Sequence, residues 1–164
     1  MAQISLSKAR AIIRNTLKKG REMDLKPLSV AVLDPGGHLL AFEREDGASP
    51  GRFEIARGKA FGVVMTGMTG SALMARAEQQ PYFVAALNGA YGGQVIPVPG
   101  GILIRDNRDR VIGAVGVTGD TSDNDAIAGQ AGVEAAGLAG EDADGFSGSD
   151  LLALAAHDRG QYPA

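Results

Sequence analysis

The chain has 164 residues with a hydrophobic content of 45%, which is enough for one domain with a substantial core. It contains no cysteine, so disulfides, cysteine-ligated metal centres and thiol catalysis are excluded. The formal net charge is −3, and no Lys/Arg stripe free of acidic residues is evident, so we expect no nucleic-acid partner. No apolar run approaches the ~20 residues that span a bilayer, so we expect no membrane partner. The N-terminus lacks a secretion signal pattern, which predicts a cytoplasmic protein.

The first half of the sequence predicts a helix, a β-hairpin and further helices. Leu6, Ala9, Ile13 and Leu17 recur at helical spacing after a cap at Ser5 or Ser7. Two apolar runs flank Asp34-Pro-Gly-Gly37, a tight-turn sequence. In chain order we expect a helix to about Asp24, strands over 28–33 and 38–42, a helix from Ser49-Pro50 to about Gly67, a helix over 70–78 capped by Ser71, and a helical turn over 81–87.

The second half predicts a strand meander and a final helix. A glycine-rich loop over 88–93 precedes paired strands over 94–98 and 102–105, and a third strand covers 111–117. Asp120, Asp123 and Asp125 cap a helix from Asn124 to about Leu138. Clustered hairpins with grouped helices are typical of an α+β fold with an antiparallel sheet. We expect one domain over 1–140 and an acidic, flexible tail over 141–164 with a short helix at Asp150–His157.

The segment Val98-Pro-Gly-Gly-Ile-Leu-Ile104 is the most distinctive part of the sequence. Two glycines before an apolar strand let another group approach the backbone closely, so the amides of Gly100 and Gly101 could form an anion-binding nest. The alternative is a tight turn before a core strand. Signatures of serine hydrolases, P-loops and dinucleotide-binding folds are absent from the sequence.

Four segments together resemble the GlcG/HbpS family, the haem-binding or haem-degrading domain that also forms the C-terminal part of PduO-type corrinoid adenosyltransferases. The segments are Ser29–Ala48, Ile55–Ala60, Pro97–Ile104 and Ile112–Gly119, the last followed by Asp125. The resemblance covers roughly residues 4 to 138. It implies a profilin-like α+β fold with a central antiparallel sheet of about five strands flanked by helices, and homo-oligomers such as dimers, tetramers or octamers. Some members bind haem. This sequence departs from the family in two respects. It shows no signal peptide of the kind found in the secreted branch, and its acidic tail matches nothing in the family pattern.

The resemblance also directs attention to particular residues. His38 matches the start of the family's second strand, and a neutral imidazole is a good ligand for haem iron; the alternative is a half-exposed hairpin histidine. Arg44, Asp46 and Lys59 are expected to border the pocket with Gly100 and Gly101. Arg44 could grip a carboxylate, and Lys59 could add a charge, which suits a haem propionate or a small organic acid. The alternative is surface ion pairs, Arg44 with Asp46 and Lys59 with Glu54.

The loop before the two glycines adds Asn88 as a ligand-binding candidate and Tyr91 as an iron ligand or acid. Tyr82 and Phe83 are interpreted as packing residues. His157 is a remote candidate ligand, and a carboxylate metal site at Asp120, Asp123 and Asp125 has no support beyond their acidity.

These residues and the resemblance lead to three functional hypotheses. The first is a soluble, oligomeric haem- or tetrapyrrole-binding protein in which His38 or Tyr91 ligates iron while Arg44 and Lys59 hold the propionates. The second is a catabolic enzyme for a small carboxylate or hydroxy acid, bound by Arg44, Lys59 and the Gly100-Gly101 amides, with Asp46 or Tyr91 moving the proton. A non-catalytic assembly or ligand-sensing module is a third interpretation.

Overall fold

A computed structural model describes residues 2–141. Except for Glu141, the tail predicted over 141–164 and its short helix therefore lie outside the described residues. The described chain forms five helices and five strands, in the order α1 (Leu6–Glu22), β1 (Ser29–Leu33), β2 (Leu39–Arg44), α2 (Arg52–Thr66), α3 (Gly70–Gln79), α4 (Pro81–Ala90), β3 (Gly101–Arg105), β4 (Val111–Thr118), α5 (Ser122–Ala135) and β5 (Ala139–Glu141). Within this range, no helix is long and apolar enough to cross a membrane.

The strands form one antiparallel sheet in the order β2-β1-β4-β3-β5. The expected α+β fold with a five-stranded antiparallel sheet is therefore confirmed. Strands β1 and β4 lie in the interior of the sheet and are apolar along almost their whole length, because helices cover both of their faces.

Helices α1 and α5 cover one face of the sheet. Ser5 caps α1 by accepting a hydrogen bond from the Lys8 amide at 3.2 Å, and Thr121 caps α5 through the Asn124 amide at 3.2 Å. The β-branched residues of this sheet face, such as Val30, Val32, Ile102, Ile104, Val115 and Val117, pack with Ile12, Ile13, Ala128 and Val133 of the two helices.

Helix α2 covers the other face and lies unusually close to it. Gly116 and Gly101 oppose each other in the sheet, and a Cβ at either position would collide with the α2 backbone at Ala56 or Lys59. The absence of these side chains lets the helix backbone rest directly on the strands. Ala60 and Val63 complete this smaller core with Leu33, Leu73, Leu103 and Ala114.

The segment 94–98 is not a strand, which corrects the sequence prediction. Pro97 and Pro99 have no amide hydrogen for a sheet ladder, and the Ile96 amide instead donates to the Gly58 carbonyl of α2 at 3.2 Å. The fifth strand is β5, which pairs with β3 and is held by a 2.7 Å hydrogen bond from Gln130 Nε2 to the Gly140 carbonyl. Strand β5 was not predicted because its three residues have little apolar character and so give no strand signal in the sequence.

The helix starts also differ from expectation. Helix α2 begins at Arg52 with Gly51 at its N-cap, and the Ser49 hydroxyl accepts from Arg52 Nε at 3.2 Å instead of capping the backbone. Thr69 rather than Ser71 caps α3, through the Ala72 amide at 3.0 Å. Helix α4 extends to Ala90, so residues 88–90 of the expected glycine-rich loop are helical and only residues 91–93 form a turn.

A buried ion pair joins the two helical layers. Lys59 Nζ of α2 lies 3.0 Å from Asp125 Oδ2 of α5 and donates to the Val117 carbonyl at 2.9 Å. The two side chains are only 3% and 1% exposed. Burial raises the pKa of Asp125, and the favourable charge of Lys59 offsets only part of this effect. Each charge therefore depends on the other for compensation in a dry environment.

We expect Lys59→Met to lower the free energy of unfolding by about 3–5 kcal/mol, because it strands a buried carboxylate. Adding Asp125→Asn to this variant should recover part of the loss, because the double variant buries no unpaired charge. Urea unfolding of the wild type, both single variants and the double variant measures the coupling. The exposed Lys26→Met is the matched control and should shift stability by less than about 0.5 kcal/mol. Additive single effects would contradict the pairing.

Asp120 should make stability depend on acidic pH. The Asn124 side chain and then the Lys26 amide lower the pKa of Asp120 below its ordinary value of 3.8, as their 2.8 and 2.9 Å hydrogen bonds favour the carboxylate. A lowered pKa gives stability that is present above pH 3.8 and lost as the pH falls through the native value. Urea midpoints measured between pH 6 and pH 2 should therefore fall less for Asp120→Asn than for the wild type. Parallel curves would show that this carboxylate contributes nothing.

Candidate functional site

The outer face of α2 carries a continuous line of large side chains. Phe53, Arg57, Phe61 and Met65 recur at every fourth residue and are all half-buried; we call them the α2 stripe. Helix geometry produces the line, because residues four apart stack on one face while Ala56, Lys59, Ala60 and Val63 face the sheet. From Phe53 to Phe61 the stripe extends about 12 Å along the helix.

The first end of the stripe is an aromatic pair with a cation beside it. Phe42 of β2 meets Phe53 edge to face, with ring centroids 4.9 Å apart and an interplanar angle of 72°. The Arg57 guanidinium carbon lies 5.5 Å from the Phe53 ring centroid. Arg57 Nε is buried and has no hydrogen-bond partner among the described residues. Because Arg57 as a whole is only half-buried, a ligand carboxylate would pair with its remaining N–H groups rather than with the shielded Nε.

The second end of the stripe meets the β1–β2 turn and the segment after α4. A Cβ at Gly37 would come within 3.3 Å of the Phe61 ring and 2.6 Å of Met65 Cε, so this turn lies directly on the stripe. Tyr91 packs edge to face on Phe61 with ring centroids 6.1 Å apart. Tyr91 and the residue preceding His38 therefore both contact Phe61.

His38 is held by a carboxylate. Asp34 Oδ1 accepts from the amides of Gly36 and His38 at 2.9 and 3.0 Å and lies 3.2 Å from His38 Nδ1. Burial alone would raise the pKa of Asp34, but these amides and the His38 ring lower it below its usual value. Because the ionised carboxylate can only accept, it favours the tautomer of the neutral ring in which Nδ1 carries the proton and Nε2 has the lone pair. The imidazole is 80% exposed, so Nε2 is open to a ligand. A carboxylate that orients an imidazole in this way is typical of metal-ligating histidines.

Lys59 and the two glycines do not form the expected open nest. All three residues are buried, and the Lys59 partner is Asp125 rather than Glu54. The Gly100 carbonyl accepts from the Val117 amide at 2.8 Å, and a Cβ on Gly100 would lie 3.0 Å from Lys59 Nζ. Gly100, with φ +104, makes room for the ammonium rather than for an external anion. The alternative of a tight turn before a core strand describes this segment better.

Arg44 and Asp46 lie together but away from Lys59. Both line an open groove of about 590 Å³ beside the C-terminal end of α1, with Leu17, Arg21, Pro27, Glu43 and Glu45. Arg44 opposes Ser29, which opposes Thr118, so roughly 10 Å of sheet separates Arg44 from the β4 residue next to Val117. The expected cluster of Arg44, Lys59, Gly100 and Gly101 is therefore not assembled around one opening.

The other candidates have local roles in the structure. Asn88 Oδ1 accepts from the Val95 amide at 2.9 Å and so closes the loop after α4. Tyr82 is 72% exposed, and Phe83 lies 4.3 Å beneath the Arg76 guanidinium. His157 lies outside the described residues. Over residues 2–141, no group of three histidine or acidic side chains is placed to hold a metal ion.

Sequence reasoning missed Arg57 as a candidate. Arg57 lies in the segment Ile55–Ala60, two residues before Lys59, and the sequence alone does not show which of the two cations is exposed. The available signal was its position midway between Phe53 and Phe61, four residues from each, whereas Lys59 shares its face with Ala56 and Val63.

Comparison with known proteins agrees with this fold. The structure resembles protein ORFY of Klebsiella pneumoniae with a TM-score of 0.75 and 25% identity, covering 84% of this chain and 92% of that one. It resembles a variant of HbpS from Streptomyces reticuli with a TM-score of 0.70 and 25% identity, covering 82% and 87%. It also resembles PduOC, solved as a complex with haem, with a TM-score of 0.74 and 20% identity, covering 84% and 97%.

Among curated proteins, no sequence gives a significant match. The family model described as haem degrading protein HbpS-like matches residues 4–134, which is most of the sequence and nearly all of the described domain. This match includes both ends of the α2 stripe, the hairpin turn and the Lys59–Asp125 pair. The chain belongs to the HbpS-like family.

Proposed function

We propose that this protein binds haem on the surface formed by the α2 stripe, Phe42, Tyr91 and the His38 turn. The observation that carries the proposal is a half-exposed aromatic stripe that contains one cation and touches, at Gly37, the turn whose next residue is a carboxylate-oriented imidazole. Haem has a flat apolar ring, two carboxylates and an iron that accepts imidazole or phenolate ligands. Each of these three parts has a counterpart on the surface.

His38 Nε2 is the proposed iron ligand. The bond to Asp34 fixes the tautomer and raises the basicity of the other ring nitrogen, and the ring is already outside the core. Tyr91 packs on Phe61 of the same stripe and is the second candidate, because a phenolate also ligates ferric haem.

Arg57 is the proposed anchor for a propionate. It takes the role that the sequence suggested for Lys59, whose ammonium is committed to Asp125. A guanidinium pairs with a carboxylate through two parallel hydrogen bonds, and the neighbouring Phe53 ring excludes water from one side of the pair. Arg44 is two residues from Phe42 along β2 but lines the separate groove beside α1, so we assign it no part in the haem surface.

The comparisons support haem binding, but they assign no role to individual residues. A structurally similar protein was solved with haem, and the matching family model carries haem chemistry in its description. We also propose that the protein works as a homo-oligomer, because a flat open surface covers only one side of a bound ring. The enzyme hypothesis has less support, since its substrate site required Lys59 and the Gly100-Gly101 amides at an accessible surface.

We expect His38→Ala to shift the Soret band and weaken haem binding, because the iron loses its imidazole. The measurement is a haem titration of the purified protein by difference spectroscopy, with the molar mass of the loaded protein measured in parallel. His157→Ala is the matched control, since these are the two histidines in the sequence, and it should leave the spectrum unchanged. An unchanged spectrum in His38→Ala together with an altered one in Tyr91→Phe would transfer the ligand role to Tyr91. Weak, non-saturating binding in all proteins would contradict haem binding.

We expect Arg57→Gln to weaken haem binding about tenfold, as a hydrogen bond to a charged group contributes roughly 1.5–3 kcal/mol. Repeating the titration with haem dimethyl ester tests the reason. The ester lacks propionate charges, so wild type and variant should bind it equally. Lys59→Met is unsuitable as a control because it breaks the core, and Arg44→Gln serves instead. An Arg57→Gln defect that persists with the ester would show that this residue only supports packing.

A further inference from the structure

Helix α1 displays a basic stripe that the sequence analysis did not recognise. Arg10, Arg14 and Lys18 are exposed and recur at every fourth residue. Residues 8–26 hold seven lysines and arginines against two acidic residues, a local net charge of +5 in a chain whose total is −3. Like charges four residues apart destabilise a helix by about 0.2–0.5 kcal/mol per pair. The stripe is thus an unfavourable arrangement for the helix alone, and an acidic partner would relieve it.

A groove runs along this stripe between α1 and α5. It has a volume of about 220 Å³. Its α1 side carries Asn15, Lys18, Lys19 and Glu22, and its α5 side carries Ala131 and Ala135. Alanines leave room for larger apolar side chains from outside, and the two lysines favour carboxylates at the rim. The groove therefore fits a segment that is both acidic and rich in leucine or alanine.

The chain itself supplies such a segment. Residues 142–164, which lie outside the described structure, contain four aspartates and one arginine, and Leu151-Leu-Ala-Leu-Ala-Ala156 follows directly after Asp150. The segment therefore has a charge opposite to that of α1 and an apolar run flanked by Asp150 and Asp158.

The end of β5 places this segment within reach of the groove. Gly140 is hydrogen-bonded to Gln130 of α5, and α5 in turn packs on α1. One helix width of about 10–12 Å therefore separates the end of β5 from the groove. About four extended residues cross that distance. Residues 142–149 are enough to reach it before Asp150 and the leucines begin.

We propose that residues 150–158 of the acidic C-terminal segment dock into the α1–α5 groove of the same chain. The aspartates face Lys18 and Lys19, and the leucines cover Ala131 and Ala135. A short tether gives an effective concentration in the millimolar range, so a shallow groove is sufficient for occupancy. The groove lies on the sheet face opposite the α2 stripe, so this proposal does not depend on haem binding.

Carbodiimide cross-linking of the full chain tests the proposal, because it joins a lysine to a carboxylate only when the two are in contact. Peptide mapping at low salt should find Lys18 or Lys19 joined to Asp150 or Asp158. The product should decline at 1 M salt, where the Debye length is about 3 Å. The double variant Lys18→Glu/Lys19→Glu should lose it, and adding Asp150→Lys should restore a cross-link with reversed polarity. Lys26→Glu changes an exposed lysine outside the groove and should leave the product intact.

A mixture of ¹⁴N- and ¹⁵N-labelled protein identifies the occupant. Cross-linked peptides of uniform isotope composition support docking within one chain. Mixed peptides would overturn the proposal in favour of docking between copies. If no Lys18 or Lys19 product forms at low salt, or if Lys8 and Lys26 are joined to the segment as efficiently as Lys18 and Lys19, the segment does not occupy the groove.

Discussion

The ion pair between Lys59 and Asp125 fixes the position of α2, and the candidate haem surface depends on that position. The ammonium passes from the α2 layer to the α5 layer at the end of the sheet, where Gly100 has no side chain to block it. Neither charge can remain in the interior without the other. A rotation or a one-turn slide of α2 would strand both, so the pair selects one registry of the helix on the sheet.

This registry decides which residues of α2 face solvent. Successive helix residues turn by about 100°, so Arg57, two positions before Lys59, points about 200° away from it. A buried lysine at position 59 therefore places Arg57 outward, with Phe53 and Phe61 one turn to either side. Gly101 and Gly116 then let the helix sit low on the sheet, which brings Phe42 and the Gly37 turn up to the level of the stripe. The surface is a consequence of the packing beneath it.

Local signals in the sequence were sufficient for most of the fold. Apolar periodicity located α1, β1, β4 and α5, and the Asp34–Gly37 turn gave the hairpin. The segment 94–98 was wrongly predicted as a strand because its β-branched residues have a strand pattern. Pro97 and Pro99 lack amide hydrogens for a sheet ladder, and the segment pairs instead with Gly58 of α2, a tertiary contact that has no local signal. Strand β5 exists only because β3 offers an open edge and Gln130 anchors Gly140, and neither contact has a sequence signal.

The site was harder to predict than the fold because charge alone does not reveal burial. Lys59 and Arg57 are two cations separated by one residue, and a lysine in the sequence does not show that an aspartate 66 positions later will meet it. Burial of the lysine is nevertheless understandable. Its flexible stem can pass the gap at Gly100 and place one compact charge on Asp125 and Val117, whereas the planar arginine fork could not be satisfied by two acceptors. The same difference suits Arg57 to the surface, where a two-oxygen carboxylate can occupy the fork. The division of roles between the two cations thus follows from their shapes as well as from their places on the helix.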